Sequence, residues 1–277
     1  MILADLHTHS QYSTDAPHDG TSAPALMAKA AYERGLKTIC ITDHMDLCFP
    51  GEPQSFVFDV SDYFRTLQAL RDEWQGRLEI LIGVELGLRN EPDRHEGIRK
   101  AYDDLVASYP FDFVLGSTHI VRYEDPYERS YWKKYGAIDG LLAYFEAELF
   151  NMETYSCFHS CAHLDYALRY VPANRRIAPR RYDALVEATL ETLVRRDIAL
   201  EINVKSLARG LAEPNPSLNY IRRYRELGGR TITFGSDAHR PGYIGDGLAR
   251  GEEFARAAGF TEYTIFRGGK PEFVPFD

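Results

Sequence analysis

Two rhythms of apolar and polar positions alternate along this chain of 277 residues. Dense apolar runs of strand length occupy residues 2 to 6, 38 to 42, 79 to 84, 113 to 118, 157 to 162, 199 to 203 and 232 to 236. Segments with helical periodicity separate them, at 22 to 34, 62 to 75, 94 to 107, 138 to 151, 180 to 195, 217 to 227 and 246 to 258. Tyr63, Leu67, Leu70 and Trp74 recur on one helical face, and Ile138, Leu141, Leu142, Phe145 and Leu149 on another. Ser22 is placed to cap the first helix, with Pro24 in its first turn and Gly35 as its stop. Strand then helix, repeated in this way, predicts a parallel sheet of β-α units.

No G-x-G-x-x-G follows the first apolar run, so an open dinucleotide-binding sheet is not supported and a closed α/β barrel is expected. In such a barrel the active site lies at the C-terminal strand ends. The segments after the second, fourth, fifth and sixth runs, about 45 to 61, 120 to 137, 164 to 179 and 205 to 216, are aromatic-rich, contain proline and are expected to roof that end. No linker, charge block or internal repeat divides the chain, so residues 1 to 277 read as one domain.

Composition narrows the activity. A net charge of -9 and a pI near 5.5 argue against nucleic acid or an anionic membrane as the main partner, while a small anionic substrate stays possible if metal ions dominate the local field. No apolar stretch is long enough to span a bilayer and no signal-peptide pattern opens the sequence, so a cytoplasmic protein is expected. Cys40, Cys48, Cys157 and Cys161 lack C-x-x-C spacing and read as reduced thiols. Oligomeric state is not encoded legibly.

The chemistry gathers where the strands end. His7 and His9 share a strand face at i and i+2 and can converge on one ion of the zinc, manganese or iron type, with Asp15 six residues beyond His9. His44, Glu85, His119, His163, Asp237 and His239 recur at or just after later apolar runs, as a polynuclear metal site would require. His18, in a Pro/Asp/Gly loop, is a candidate to protonate a leaving oxygen or touch phosphate, against the plain reading of an exposed loop histidine. Arg122, Lys205, Arg209 and Arg240 follow ligand-bearing strands and are candidate phosphate clamps, each also readable as a solvated surface charge. His159 reads as a barrel histidine, His95 as exposed, and Asp43, Asp165, Glu201 and Asn203 as supporting or substrate-contacting groups. Ser10, Ser117 and Ser236 flank ligands and are expected to bond strand-end backbone.

The ordered series Asp5-Leu6-His7-Thr8-His9-Ser10, Thr42-Asp43-His44, Gly83-Val84-Glu85, Gly116-Ser117-Thr118-His119, Ala162-His163-Leu164-Asp165 and Gly235-Ser236-Asp237-Ala238-His239 resembles the polymerase and histidinol phosphatase (PHP) superfamily over essentially the whole chain. Asp15, the chain length and Glu201-Ile202-Asn203 are most similar to the monofunctional histidinol-phosphatase branch. The resemblance implies a distorted TIM-like (β/α)7 barrel holding three divalent ions, zinc, manganese or iron. His7, His9, Glu85 and Asp237 would hold the first. Glu85 would bridge to the second, completed by His119 and His163, and Asp15, His44 and His239 would hold the third. Aspartate at position 15, where many relatives have histidine, shifts the third site toward manganese or iron.

The activity implied is metal-dependent hydrolysis of a small phosphorylated substrate, L-histidinol phosphate, in histidine biosynthesis. Direct attack by a metal-held hydroxide is expected, with Glu85, Asp237 and His18 as the catalytic groups. The imidazole and primary amine of that substrate need acidic and aromatic partners, for which Tyr123, Asp125, Tyr127, Tyr131 and Trp132 are available. Two alternatives stand beside this reading. One is another phosphoesterase of the same scaffold, acting on nucleotides, oligonucleotides, sugar phosphates or phosphotyrosine; the other is a non-catalytic interaction domain, which the intact ligand set argues against.

Overall fold

The computed structural model describes residues 2 to 172 and 177 to 276. Strands and helices alternate from the start: β1 (Ala4–Thr8), α1 (Pro24–Glu33), β2 (Thr38–Ile41), β3 (His44–Met45), α2 (Val60–Trp74), β4 (Glu79–Gly87), α3 (His95–Ser108) and β5 (Phe113–Ser117). They continue with α4 (Arg129–Tyr135), α5 (Ala137–Thr154), β6 (Ser160–Cys161), α6 (Asp183–Arg195), β7 (Ala199–Asn203), α7 (Lys205–Ala208), α8 (Leu218–Glu226), β8 (Ile232–Gly235), α9 (Leu248–Ala257), β9 (Glu262–Arg267) and β10 (Lys270–Pro275).

Seven strands pair in the order β1-β2-β4-β5-β6-β7-β8, all parallel, with the short β3 pairing β4 beyond the end of β2. Backbone bonds from Asp237 N to His7 O and from His9 N to Ala238 O, each 2.8 Å, join the end of β8 to β1 and bring the sheet nearly to closure. The expected α/β barrel is therefore the architecture. Strand β6 is shorter than its apolar run, because His163 turns the chain at φ 25° directly after it, yet His159 N and Ala162 N still bond Val114 O and Gly116 O on either side.

One local expectation is corrected. Ser22 does not cap α1; its hydroxyl donates to His239 O at 2.8 Å, tying the helix entry to the end of β8, and Ala23 occupies the cap position. Beyond the helix expected at 246 to 258, where the sequence pattern assigned no element, the chain forms a β9-β10 hairpin across Gly268-Gly269, both at positive φ as a two-residue hairpin turn requires. Asp112, at the start of β5, accepts from Gly268 N and Gly269 N, and Phe266 stacks on Phe113 and His159, so the hairpin covers the end of the barrel away from the ligand-bearing strand ends.

The barrel wall is read by tyrosines on the outer helices. Tyr63 sets its hydroxyl between Ile41 O and Gly83 O (2.9 and 3.0 Å), Tyr102 between Met45 O and Gly87 O (2.7 and 2.9 Å), and Tyr224 between Ile198 O and Thr231 O (3.1 Å each). Each is buried and reaches a pair of neighbouring strands, so a helix docks by a polar contact as well as by its apolar face. At the seam, Gly235 leaves no room for a side chain: a Cβ there would lie 2.2 Å from His7 Cβ and 2.5 Å from Glu201 Oε1.

Removing the Tyr63 hydroxyl leaves two strand carbonyls dry and weakly satisfied. Tyr63→Phe is expected to destabilise the fold by about 1 to 2 kcal/mol, read as a lower urea midpoint at unchanged slope; a midpoint equal to wild type would remove the clip from the stability argument.

Candidate metal centre

Six strand ends around the barrel deliver an imidazole or a carboxylate to one place. His7 stands on β1 with His9 just beyond it, His44 on β3, Glu85 on β4, His119 and His163 two residues past β5 and β6, and Asp237 and His239 past β8. Glu85 is completely buried at the centre. Its Oε2 lies 3.0 Å from His44 Nδ1, 3.2 Å from His7 Nε2 and 3.4 Å from His9 Nε2, while its Oε1 lies 3.0 Å from His163 Nε2 and 3.3 Å from His119 Nε2. One carboxylate thus divides five histidines into two groups. Asp237 Oδ1 sits 3.6 Å from His9 Nε2 and 3.5 Å from His239 Nδ1, and Asp15 Oδ2 sits 2.9 Å from His239 Nε2 and 3.8 Å from His44 Nε2.

Behind these groups stand further acceptors that fix the rings. His7 Nδ1 faces Glu201 Oε1 at 2.6 Å, and His119 Nδ1 faces Asp46 Oδ2 at 2.7 Å. His9 Nδ1 meets Ser13 Oγ at 3.1 Å, and Ser13 in turn donates to Asp43 at 2.7 Å. Imidazoles backed in this way present their other nitrogen inward, the habit of metal-ligating histidines. His9 Nε2 and Asp46 Oδ1 are buried without a hydrogen-bond partner, a costly state in a dry interior, and His44 Nδ1 and His239 Nε2 meet only carboxylates of the same cluster. Five overlapping groups of three such residues offer ligand atoms within 4.8 Å of one another. Nitrogen and oxygen donors at this density fit divalent ions of the zinc, manganese or iron type.

A cavity of about 740 Å³ opens over the cluster. Asp15, His44, His119, His163, Asp237 and His239 reach its floor, and Lys205, Arg209 and Arg240 line it. Lys205 Nζ donates to Asp237 Oδ1 at 2.6 Å. His18 and Arg122 are not brought to the cavity, in keeping with the plainer reading of each. His18 is exposed, with Nε2 3.2 Å from Thr14 O, and Arg122 lies over the Tyr135 ring at 5.2 Å; neither lines the cavity. Among the loop residues, Asp125 and Tyr127 line it, whereas Tyr123 bonds Asp93, and Tyr131 and Trp132 are buried on Gly140 O and Pro126 O. The roof comes from Phe49, Phe56, Tyr127, Tyr166 and Tyr170; residues 173 to 176 of the expected segment 164 to 179 lie outside the described residues.

The model of the PHP domain matches residues 5 to 205. The chain belongs to the PHP domain family. It is 32% identical over 248 residues to a protein of Clostridium acetobutylicum described as "Probable histidinol-phosphatase", covering 88% of this chain and 89% of that one. It is 28% identical over 276 residues to the histidinol-phosphatase of Lactococcus lactis, covering 98% and 96%. The crystal structure of histidinol phosphate phosphatase from Lactococcus lactis, complexed with zinc, L-histidinol and phosphate, matches with a TM-score of 0.84 at 27% identity, covering 97% of this chain and 98% of that one.

In this PHP protein the serines beside the ligands do more than the sequence suggests. Ser10 and Ser236 donate to the buried carboxylates Asp43 and Asp5, and Ser117 Oγ donates to Glu85 Oε1 at 2.5 Å, where backbone partners were expected. Asp46 is the residue that sequence reading missed; His44-Met45-Asp46 repeats the i, i+2 spacing of His7 and His9, which was the available signal. His159 accepts from Val114 N at 2.9 Å, in keeping with a barrel histidine. His95 is half-buried against the edges of Phe150 and Tyr155, where exposure was expected. Asp165 bonds Asn215 and not His163. All four cysteines are free thiols; Cys40 and Cys161 are buried. No helix among the described residues is long and apolar enough to cross a membrane.

Protons can occupy this metal centre in place of cations. Burial alone would lower His7, His44 and His119, but the carboxylates around them outweigh it: Glu201 and Glu85 hold His7 well above the usual range, Asp46 and Glu85 do so for His119, and Glu85 and Asp15 raise His44 to about 9. Burial, with His239 and His44 as neighbours, keeps His9 well below it. Burial would raise Glu85 and Asp237; the histidines, and for Asp237 chiefly Lys205, hold both well below the carboxylate range instead.

A histidine near 9 in the fold, against about 6.5 in an unfolded chain, stabilises the ion-free protein below the lower value and loses that contribution as pH rises through the higher. The melting-temperature difference between chelator-treated wild type and His44→Gln is therefore expected to be large at pH 6 and to shrink by pH 10. A difference that stays constant or grows with pH would show that His44 is not coupled to Glu85 in this way.

Proposed function

We propose that this PHP protein is a divalent-metal-dependent phosphomonoesterase that converts L-histidinol phosphate to L-histidinol and phosphate. The observation that carries the reading is Glu85 dividing two groups of imidazoles beneath a cavity that also presents cations and aromatic rings. The full-length similarity to histidinol-phosphatases, one of them solved with zinc, L-histidinol and phosphate, supports the same substrate. We assign three ions: one to His7, His9, Glu85 and Asp237, one to Glu85, His119 and His163, and one to Asp15, His44 and His239. Ions held there supply Lewis acidity and make water a nucleophile near neutral pH.

The chain's own groups divide the remaining work. Lys205, Arg209 and Arg240 face a phosphate dianion in the cavity, and Lys205 already neutralises Asp237. Asp125, pushed up to about 6 by burial, is an ill-solvated carboxylate that an ammonium or imidazolium would pair with, and Phe49, Phe56, Tyr127, Tyr166 and Tyr170 offer ring faces to the imidazole. Ser10, Ser117 and Ser236, the serines that flank the ligand residues, give their hydroxyls to buried carboxylates, an arrangement in keeping with direct displacement at phosphorus.

Because one carboxylate serves two positions, Glu85→Ala is expected to lose about two ions per chain by elemental analysis and nearly all turnover; a full complement in that variant would end the bridging role. The function is tested on a panel of phosphate esters with the zinc- or manganese-reconstituted protein. L-histidinol phosphate is expected to exceed nucleotides, sugar phosphates and phosphotyrosine in kcat/KM by at least about a hundredfold, with inversion at a chiral phosphorus in labelled water. Comparable rates across the panel would remove the substrate assignment, and retention would remove direct displacement.

A further inference from the structure

Of the non-glycine residues with left-handed backbone in the roof loops, Cys48 and Tyr123, on different loops, are both gripped by one buried ion pair that the metal centre does not use. Arg89 and Glu91 follow β4 and are 2% and 4% exposed. Their side chains form a fork, Arg89 Nε to Glu91 Oε2 at 2.9 Å and Nη2 to Oε1 at 3.1 Å. Arg89 Nη1 then donates to Cys48 O at 3.0 Å, and Glu91 Oε1 accepts from Tyr123 N at 3.0 Å. Cys48 has φ 59° and Tyr123 has φ 63°, with Arg122 before it at 53°. Arg122 and Tyr123 form a tight turn closed by Val121 N to Glu124 O (2.9 Å) and Glu124 N to Val121 O (3.1 Å). Such a turn takes two left-handed residues and normally uses asparagine or glycine, so here the surroundings must over-determine it. Tyr123 OH on Asp93 and Arg122 over Tyr135 add to the hold.

The gripped positions stand next to the residues that face the cavity. Cys48 precedes Phe49, and Tyr123 lies two residues before Asp125 and four before Tyr127. The backbone of Arg89 is itself anchored, its N–H donating to the Tyr155 hydroxyl at 3.3 Å and its O accepting from that hydroxyl at 2.9 Å. A buried ion pair contributes little net stability compared with an apolar pair of similar volume, so its use is sought in geometry.

We infer that Arg89 and Glu91 are positioning residues that lock the Phe49 loop and the Asp125–Tyr127 loop to the end of β4 and so set the shape of the cavity for the alcohol portion of the substrate. This rests on the proposed phosphatase reading, with the phosphate end held by other walls.

The test replaces the pair together, Arg89→Met with Glu91→Leu, since removing one partner alone would strand a buried charge. The protein is reconstituted with zinc and assayed on L-histidinol phosphate and on p-nitrophenyl phosphate, which lacks the imidazole and amine. The expected result is a KM for L-histidinol phosphate raised about tenfold or more, with kcat, zinc content and the kinetics on p-nitrophenyl phosphate within about twofold of wild type. Glu91→Gln, which keeps an acceptor for Tyr123 N, is expected to show the same split at smaller size, and decides the matter if the double variant does not fold. Unchanged KM, or equal losses on both esters with zinc depletion, would overturn the assignment. Wild type that hydrolyses p-nitrophenyl phosphate but not L-histidinol phosphate would instead overturn the substrate reading, independently of the clamp.

Discussion

A carboxylate with no exposure to water must be compensated where it stands, and in this barrel Glu85 sets that requirement for everything around it. Its two oxygens face five imidazoles from four strand ends, and each imidazole has to arrive with the correct nitrogen inward. Glu201, Asp46 and the Ser13–Asp43 pair are the means: they take up the outer nitrogens of His7, His119 and His9. A ring held from behind cannot flip, and an array of held rings makes one charge at Glu85 tolerable only when cations or protons sit among them. The parallel barrel is what allows so many rings to meet, because all its strands end on the same side.

Much of this was legible in the chain. These residues lie at or within four positions of strand ends, so the apolar run and the polar residues that follow it are neighbours in sequence, and His7, His9, His44, Glu85, His119, His163, Asp237 and His239 could be marked from pattern. Seven helical segments were placed with ends within a few residues of those observed, since their buried faces recur at helical spacing. The C-terminal hairpin escaped because its strand β10 is exposed and carries no apolar alternation, although Gly268-Gly269 announced a turn.

What was not legible depends on register between distant strands. Asp46 serves His119, 73 positions away, and Glu201 serves His7, 194 positions away; no local pattern pairs them. His18 and Arg122 lie away from the cavity for a related reason, since loop residues near a ligand in sequence share its neighbourhood only if the loop folds inward. Arg122 sits in a left-handed turn that carries its side chain to Tyr135, and His18 remains on the outer surface of its loop. Loop direction is set by groups such as Glu91 that belong to another segment altogether.

The close approach at Gly235 carries a meaning for descent. The space a methyl group would need is already filled by His7 Cβ and the Glu201 carboxylate, so the hydrogen at that position is the imprint of the ring and the acid that face it. Any homologous barrel that carries a larger residue there must have moved β1 away from β8 or given up the pairing of histidine with glutamate. A single column of an alignment at this seam would therefore sort barrels that retain the inward-facing first histidine from those that have kept only the shell.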